Sequence, residues 1–175
     1  MKPSEKKFVQ LYTGNGKGKT TAAIGLAVRA AGHGMKTYIG QFMKGQIYGE
    51  LTALRNHPFI TIEQYGDTKC IRKEDVTQKH MDQARQGLFK AQDAMLSGKY
   101  DILVLDEINV AVWFGLISVD DVIDFLSKRP DNLEVILTGR NAPAALIAAA
   151  DLVTEMKEVK HYYTQGILAR DGIER

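Results

Sequence analysis

Apolar residues along the chain follow two patterns, short continuous or alternating runs and longer stretches with helical spacing. The short runs predict strands, over residues 8–13, 37–43, 59–65, 101–105, 133–137 and 152–156. Apolar spacing of three or four residues predicts helices at 19–32, 74–96 and 143–150, and a further helix that begins at Ser118 and is broken by Arg129-Pro130-Asp131. Strands that alternate with helices in this way predict an α/β fold, with a mainly parallel sheet and helices on both of its faces.

In sheets of this kind, ligands bind beyond the carboxyl ends of the strands. The predicted strands bring four loops to that edge, at residues 14–20, 44–48, 106–109 and 139–141. These loops are therefore where we expect the chemistry of the chain.

The loop between the first strand and the first helix is rich in glycine and lysine. Glycines let backbone N–H groups approach phosphate oxygens, and the start of the following helix adds a partial positive charge. Lys19 supplies a full charge, and the hydroxyl of Thr20 is a candidate Mg²⁺ ligand. The strand-loop-helix order favours phosphate binding over a plain surface turn, with candidate residues Gly14, Asn15, Gly16, Lys17, Gly18, Lys19, Thr20 and Thr21.

This loop departs from the usual phosphate-binding pattern at one position. The common spacing is Gly, four residues and then Gly-Lys-Ser/Thr, but the residue five positions before Gly18 is Thr13. Gly14 and Gly16 lie inside the loop instead. The loop is therefore one residue shorter than in ordinary kinases and GTPases, or has a different shape, and the triphosphate need not lie in it in the usual way.

Two further polar groups follow predicted strands. The pair Asp106-Glu107 comes directly after an unbroken apolar run, where a carboxylate of phosphate-loop proteins helps to hold Mg²⁺; a helix start is the alternative. Arg140 follows another strand and could neutralise a polyphosphate, with a surface arginine as the alternative. The apolar pair Trp113-Phe114 fits either a core position or contact with a large flat ligand.

The composition excludes several classes of protein. The chain has 175 residues, 45% of them hydrophobic and 25% charged, which is typical of one globular domain. The net charge of +2, without a basic cluster, does not favour nucleic-acid binding. No apolar run is long enough to span a membrane, and the polar start does not resemble a signal peptide. The single cysteine, Cys70, excludes an internal disulfide and a cysteine-based zinc site, and fits a cytoplasmic location.

Five segments together resemble the phosphate-loop class of ATP:corrinoid adenosyltransferases (the CobA/BtuR/CobO type). The resemblance runs in order over nearly the whole chain, through residues 13–23, 41–45, 105–109, 138–140 and a C-terminal signature between 151 and 174. It implies a single three-layer P-loop (RecA-like) domain over residues 1–175, usually a homodimer. It also implies that ATP lies reversed in the loop relative to kinases, which agrees with the missing first glycine.

The reaction implied by this resemblance is transfer of the 5′-deoxyadenosyl group of ATP to the Co(I) centre of a reduced corrinoid, with release of inorganic triphosphate, in adenosylcobalamin synthesis or salvage. By motif position, residues 15–21 would hold the triphosphate and Thr20 and Glu107 would bind Mg²⁺. Lys19, Glu107 and Arg140 would act on the leaving group. A flavoprotein or other reductase would supply Co(I). Candidates for contact with the corrin ring are Lys44, Tyr48, Tyr65 and Trp113.

Relatives often carry a phenylalanine and a tryptophan in the loop that displaces the lower ligand of the corrinoid. The matching residues here, 66–71, contain neither, so the preferred corrinoid stays open.

Two other functions compete with the transferase. One is an ATPase or phosphotransferase acting on the γ-phosphate, which the missing first glycine disfavours. The other is a corrinoid carrier, disfavoured because no histidine has the spacing of a cobalt-binding Asp-x-His-x-x-Gly motif.

Overall fold

The computed structural model describes residues 7–69 and 71–174, so Cys70 lies outside the described part of the chain. Within that part, six parallel strands form one sheet in the order β3-β2-β4-β5-β1-β6. The strands are β1 (Val9–Thr13), β2 (Thr37–Phe42), β3 (Ile60–Tyr65), β4 (Ile102–Asp106), β5 (Glu134–Thr138) and β6 (Leu152–Glu155). Each predicted strand is present, within one or two residues of its predicted ends.

Helices connect the strands and cover both faces of the sheet. They are α1 (Lys19–Ala31), α2 (Gly49–Leu54), α3 (Gln78–Leu96), α4 (Ile108–Trp113), α5 (Val119–Ser127) and α6 (Ala144–Ala149), with short 3₁₀ turns at Lys73–Asp75 and Tyr162–Gln165. The four predicted helices are confirmed, although α3 begins four residues later than predicted. The sequence prediction missed the two short helices α2 and α4, which have too few residues to establish a periodic apolar pattern.

The apolar core lies in two layers, one on each side of the sheet. Side chains of successive strand residues point to opposite faces, so in β4 Leu103 and Leu105 join one layer while Ile102 and Val104 join the other. Helices α3 to α6 cover the first layer, and α1 with α2 covers the second. The predicted fold class, a three-layer α/β P-loop fold with a parallel sheet, is confirmed. No helix in the described ranges is both long and apolar enough to cross a membrane.

Strand register brings distant polar residues to one level at the carboxyl edge of the sheet. Gln41 of β2 is the register partner of Asp106 in β4. Thr138 follows Leu137, whose register partner is Leu105, so Thr138 ends β5 beside Asp106. Thr138 is also the partner of Tyr12, which lies two residues before the phosphate-binding loop (the P-loop, residues 14–20). The four predicted loops therefore start from neighbouring strand ends.

Candidate functional site

A cavity of about 920 Å³ opens at the carboxyl edge of the sheet. The four loops predicted to meet there all contribute to its wall, through residues 15–21, Lys44 with Tyr48, Glu107 and Arg140. A separate part of the wall, called the third wall below, comes from residues between 158 and 174. The sequence analysis linked these residues to the family signature but not to the cavity. A cavity of this size is in the range that binds small-molecule substrates.

The P-loop holds Lys19 on the inside of its turn. The side chain of Lys19 is 7% exposed, and its ammonium donates hydrogen bonds of 2.7 Å to the carbonyl oxygens of Gly14 and Gly16. Burial lowers the pKa of Lys19, an effect that Glu107 opposes and Arg140 reinforces. The charge is therefore held at the mouth of α1, where backbone N–H groups also point.

The unusual glycines of the loop are explained by a backbone that packs against them. The N–H of Gly16 donates to the carbonyl oxygen of Met156 at 2.7 Å. A Cβ on Gly16 would lie only 2.7 Å from that same oxygen and 2.8 Å from the carbonyl oxygen of Lys157. Close approach of the chain after β6 thus requires glycine at this position. Packing against Met156 and Lys157 thus accounts for the glycine inside the loop.

Asp106 is a fully buried carboxylate with four hydrogen-bond donors. Oδ1 accepts from the hydroxyls of Thr20 at 2.8 Å and Thr138 at 2.7 Å. Oδ2 accepts from the ammonium of Lys44 at 2.8 Å and from Nε2 of Gln41 at 3.2 Å. Each oxygen of Asp106 thus accepts two hydrogen bonds. Through them, Asp106 connects the ends of β2, β4 and β5 to Thr20 of α1.

Glu107 differs from Asp106 in its backbone conformation and in the partners of its carboxylate. Its backbone is left-handed, with φ of 62°, and its N–H donates to the Thr138 hydroxyl at 2.9 Å. Its carboxylate faces the cavity and makes no hydrogen bond or ion pair within the described residues. Burial, followed by repulsion from Asp106, raises the pKa of Glu107. Of the two acidic residues, Glu107 is the one with oxygens available to a ligand.

Arg140 is positioned through the residue before it. Asn109 is fully buried, and its Nδ2 donates to the carbonyl oxygen of Gly139 at 3.0 Å. Gly139 has φ of +130°, and a Cβ there would lie 3.0 Å from the Cβ of Asn109. Neither the backbone conformation nor the space allows another side chain. The loop that carries Arg140 is thus hydrogen-bonded to Asn109 of α4, the helix that follows Glu107.

The third wall is formed by the chain beyond β6 and is attached to the P-loop through Lys17. The ammonium of Lys17 donates to the carbonyl oxygen of Ile173 at 2.9 Å and lies 3.8 Å from a carboxylate oxygen of Glu174. Glu174 also accepts hydrogen bonds from Arg170 and from the hydroxyl of Tyr162. The side chain of Lys17, a predicted nucleotide-binding residue, is therefore engaged by this wall.

The four candidates for contact with a flat ligand lie in different places. Lys44 and Tyr48 line the cavity, whereas Tyr65 and Trp113 are not among its lining residues. Tyr65 lies against Gly87 and bonds to Tyr38 and Glu63, which indicates a structural role. Trp113 is 46% exposed. The ammonium of Lys73 lies 4.9 Å from the centre of its ring.

The cavity wall holds as many carboxylates as cationic side chains, with Lys17, Lys19, Lys44 and Arg140 against Glu50, Glu107, Glu158 and Glu174. The formal charges of the wall cancel, although individual cations are concentrated around the P-loop. A polyanion would therefore gain little net attraction from the wall as a whole unless a cation accompanied it.

Several residues of the site were missed by the sequence analysis. They are Gln41, Glu50 and Thr138 around Asp106, Asn109 behind Arg140, and His161, Tyr163 and Glu174 in the third wall. Gln41, Asn109 and Thr138 were inside quoted motifs, and polar residues at the ends of apolar strands were the available signal. His161 and Glu174 were inside the C-terminal signature, but nothing in the sequence placed them at the cavity, and Glu50 and Tyr163 had no signal, because these positions depend on long-range packing.

Comparison with known proteins finds matches over nearly the whole sequence of this chain. A family model described as ATP:corrinoid adenosyltransferase BtuR/CobO/CobP matches residues 5–175. A corrinoid adenosyltransferase of Pseudomonas aeruginosa is 36% identical over 172 residues, covering 97% of this chain and 84% of the relative. Corrinoid adenosyltransferases of Escherichia coli K12 and Salmonella typhimurium are 34% and 35% identical, each covering 97% of this chain and 86% of the relative.

Proposed function

The chain belongs to the ATP:corrinoid adenosyltransferase family, and we propose that the cavity at the carboxyl edge of its sheet is where adenosyl transfer takes place. The enzyme transfers the 5′-deoxyadenosyl group of ATP to the reduced cobalt of a corrinoid. The observation that carries the assignment to this cavity is the convergence of the P-loop, Glu107 and Arg140 on one space. The whole chain, residues 1–175, is proposed to act as a single domain.

In the proposed reaction the nucleophile belongs to the corrinoid substrate. Co(I) contributes both electrons of the new bond to the 5′ carbon of ATP. The bond between that carbon and the first phosphate oxygen breaks, and triphosphate leaves with its electron pair. Because no proton has to be moved, the task of the protein is to position the two substrates and to stabilise the charge of the leaving group.

The triphosphate is proposed to lie in the P-loop, against residues 15–21. The Lys19 ammonium already bonds to two carbonyl oxygens of the loop, so it would exchange one of these partners for a phosphate oxygen. Arg140 lines the same cavity from the loop after β5, the neighbour of β1 in the sheet. Lys19 and Arg140 would thus place positive charge next to the leaving group from two loops.

Mg²⁺ is proposed to accompany the triphosphate, held by Thr20 and Glu107. The residues fit such an ion: the hydroxyl of Thr20 donates a hydrogen bond to Asp106 at 2.8 Å, which leaves a lone pair of its oxygen for an ion, and the Glu107 carboxylate faces the cavity. Both are hard oxygen ligands of the kind Mg²⁺ prefers. When bound, Mg²⁺ would neutralise charge on the triphosphate, which the balanced cavity wall does not do.

The test is an anaerobic assay with Mg-ATP and chemically reduced cob(I)alamin. We expect enzyme-dependent loss of the Co(I) spectrum, a light-sensitive alkylcobalamin and one inorganic triphosphate per turnover. The same assay with a truncated corrinoid tests a precursor as the acceptor. Loss of neither corrinoid spectrum would refute the proposal. Release of phosphate and ADP without alkylation would favour the competing ATPase or phosphotransferase function.

The assembly and setting of the enzyme are also part of this proposal. All four residues of β6, at the open edge of the sheet, are exposed, and Leu152 and Val153 are 45% and 42% exposed. This apolar edge supports a homodimer, which light scattering of the purified protein would test.

A flavoprotein or other reductase is proposed to supply Co(I). We propose a cytoplasmic location, because Co(I) needs reducing surroundings.

A further inference from the structure

Lys44 follows β2, and its ammonium lies beside the start of α1. Nζ donates to Oδ2 of Asp106 at 2.8 Å and lies 3.5 Å from Oγ1 of Thr20. The nearest oxygen of Glu50, on α2, is 3.8 Å away. The side chain is 15% exposed and nevertheless lines the cavity. Lys44 therefore reaches Thr20 from a different part of the sheet than Lys19 does.

The ammonium of Lys44 has donor capacity that its present partners do not use fully. An ammonium carries three N–H donors. Only the bond to Asp106 is short, and the contacts with Thr20 and Glu50 are at or beyond the limit of a hydrogen bond. An acceptor that entered the cavity next to Thr20 would thus find a fixed, charged donor.

Lys44 is the ion-pair partner of the buried carboxylate of Asp106, which would otherwise be an uncompensated buried charge. Asp106 also accepts from Thr20, Thr138 and Gln41, so this pair uses only one N–H of the ammonium. Glu50 adds a second carboxylate 3.8 Å from Lys44. The pair with Asp106 therefore keeps a charged donor at the cavity wall with N–H groups left for a ligand.

We propose that Lys44 is a third cation of the polyphosphate site, together with Lys19 and Arg140, and that it contacts the phosphate group nearest Thr20. This inference deepens the proposed function and rests on it. Asp106 holds the ammonium in place before the ligand arrives, so little side-chain entropy is lost on binding. Lys44 is therefore assigned to triphosphate rather than to the corrin ring.

The experiment measures binding of inorganic triphosphate by calorimetry, without corrinoid, in the presence and in the absence of Mg²⁺. Lys44→Gln keeps a hydrogen-bond donor for Asp106 but removes the charge. We expect its affinity for triphosphate to fall about 10- to 100-fold, as for the loss of one charge-assisted contact. Lys128→Gln is the matched control, because Lys128 pairs with the exposed Asp124 on α5, and it should bind as the parent does.

A folded Lys44→Gln variant that binds triphosphate as tightly as the parent would overturn the inference and leave the proposed function intact. A parent protein that binds no triphosphate would instead remove the proposed function itself. If Lys44→Gln does not fold, Glu50→Gln decides. Freeing Lys44 from that carboxylate should tighten triphosphate binding roughly threefold or more, and an unchanged affinity would equally overturn the inference.

Discussion

Gly16→Ala tests whether the chain after β6 determines the shape of the P-loop. The new Cβ would lie 2.7 Å from the carbonyl oxygen of Met156 and 2.8 Å from that of Lys157, closer than atoms of this kind approach, so the two backbones must separate. Overpacking of this kind costs about 1–3 kcal/mol. Weakening the 2.7 Å hydrogen bond between Gly16 and Met156 adds about 0.5–1.5 kcal/mol.

The protein can respond by unfolding as a whole or by releasing the segment from Met156 to Glu174. Most of this segment is exposed, including Val159 at 93% and Leu168 at 73%, so local release is the less costly response. Because opening of the segment and unfolding of the whole chain relieve the same clash, the free energy of global unfolding in urea should fall by as much as that of opening, at least about 1.4 kcal/mol. The opening of the segment should become at least about tenfold more frequent, because about 1.4 kcal/mol corresponds to a factor of ten.

Limited trypsin digestion measures this opening at Lys157 and Lys160, which lie in the segment. Cleavage in Gly16→Ala should be at least about tenfold faster than in the parent when opening is rapid relative to cleavage. Gly25→Ala is the matched control: a Cβ there meets nothing within 4 Å, and alanine inside α1 should stabilise the protein by about 0.5–1 kcal/mol. Equal cleavage rates in Gly16→Ala and the parent would refute the reasoning.

Three further predictions concern residues around the cavity. Lys19→Ala should lower adenosyl transfer at least about 100-fold, since a cation that would stabilise the leaving triphosphate is lost, while circular dichroism stays unchanged; near-normal turnover would exclude the P-loop as the ATP site. Asn109→Ala should lower kcat/KM for ATP about tenfold through misplacement of Arg140, with Asn132→Ala as a surface control, and equal values in both variants would exclude the positioning role. Burial raises the pKa of Glu107, so its ionisation opposes folding: without divalent cations, Glu107→Gln should match the parent in Tm below about pH 4.5 and exceed it increasingly as the pH rises through the raised pKa. A difference in Tm that does not change with pH would contradict this assignment.

The layout of the sheet could be predicted because each strand has its own apolar signal. Unbroken runs such as residues 102–105 are typical of strands buried on both faces, and all six were found. The meeting of four loops also followed, because the carboxyl ends of parallel strands share one edge. Short helices were missed, since six residues such as Ile108–Trp113 complete fewer than two helical turns.

Contacts that depend on register or on long-range packing were beyond the sequence. The residue pattern placed Asp106 and Glu107 together, and only the family resemblance preferred Glu107 as the Mg²⁺ ligand. That difference arises because β2 and β5 bring Gln41 and Thr138 to the level of Asp106, which leaves Glu107 facing the cavity. Likewise, nothing in the sequence near Gly16 indicates that Met156 packs against it.

The position of β1 also has a consequence for the order in which the enzyme matures. β1 pairs only with β5 and β6 within the described chain, so the loop that follows it has no sheet neighbours until residues 134–155 have been synthesised. Strand pairing over such separations is slow, because a long loop must be closed before any contact is gained. A nascent chain on the ribosome thus contains the complete P-loop sequence long before the proposed nucleotide site can form, and ATP is expected to bind only after the segment from Met156 onward has left the exit tunnel.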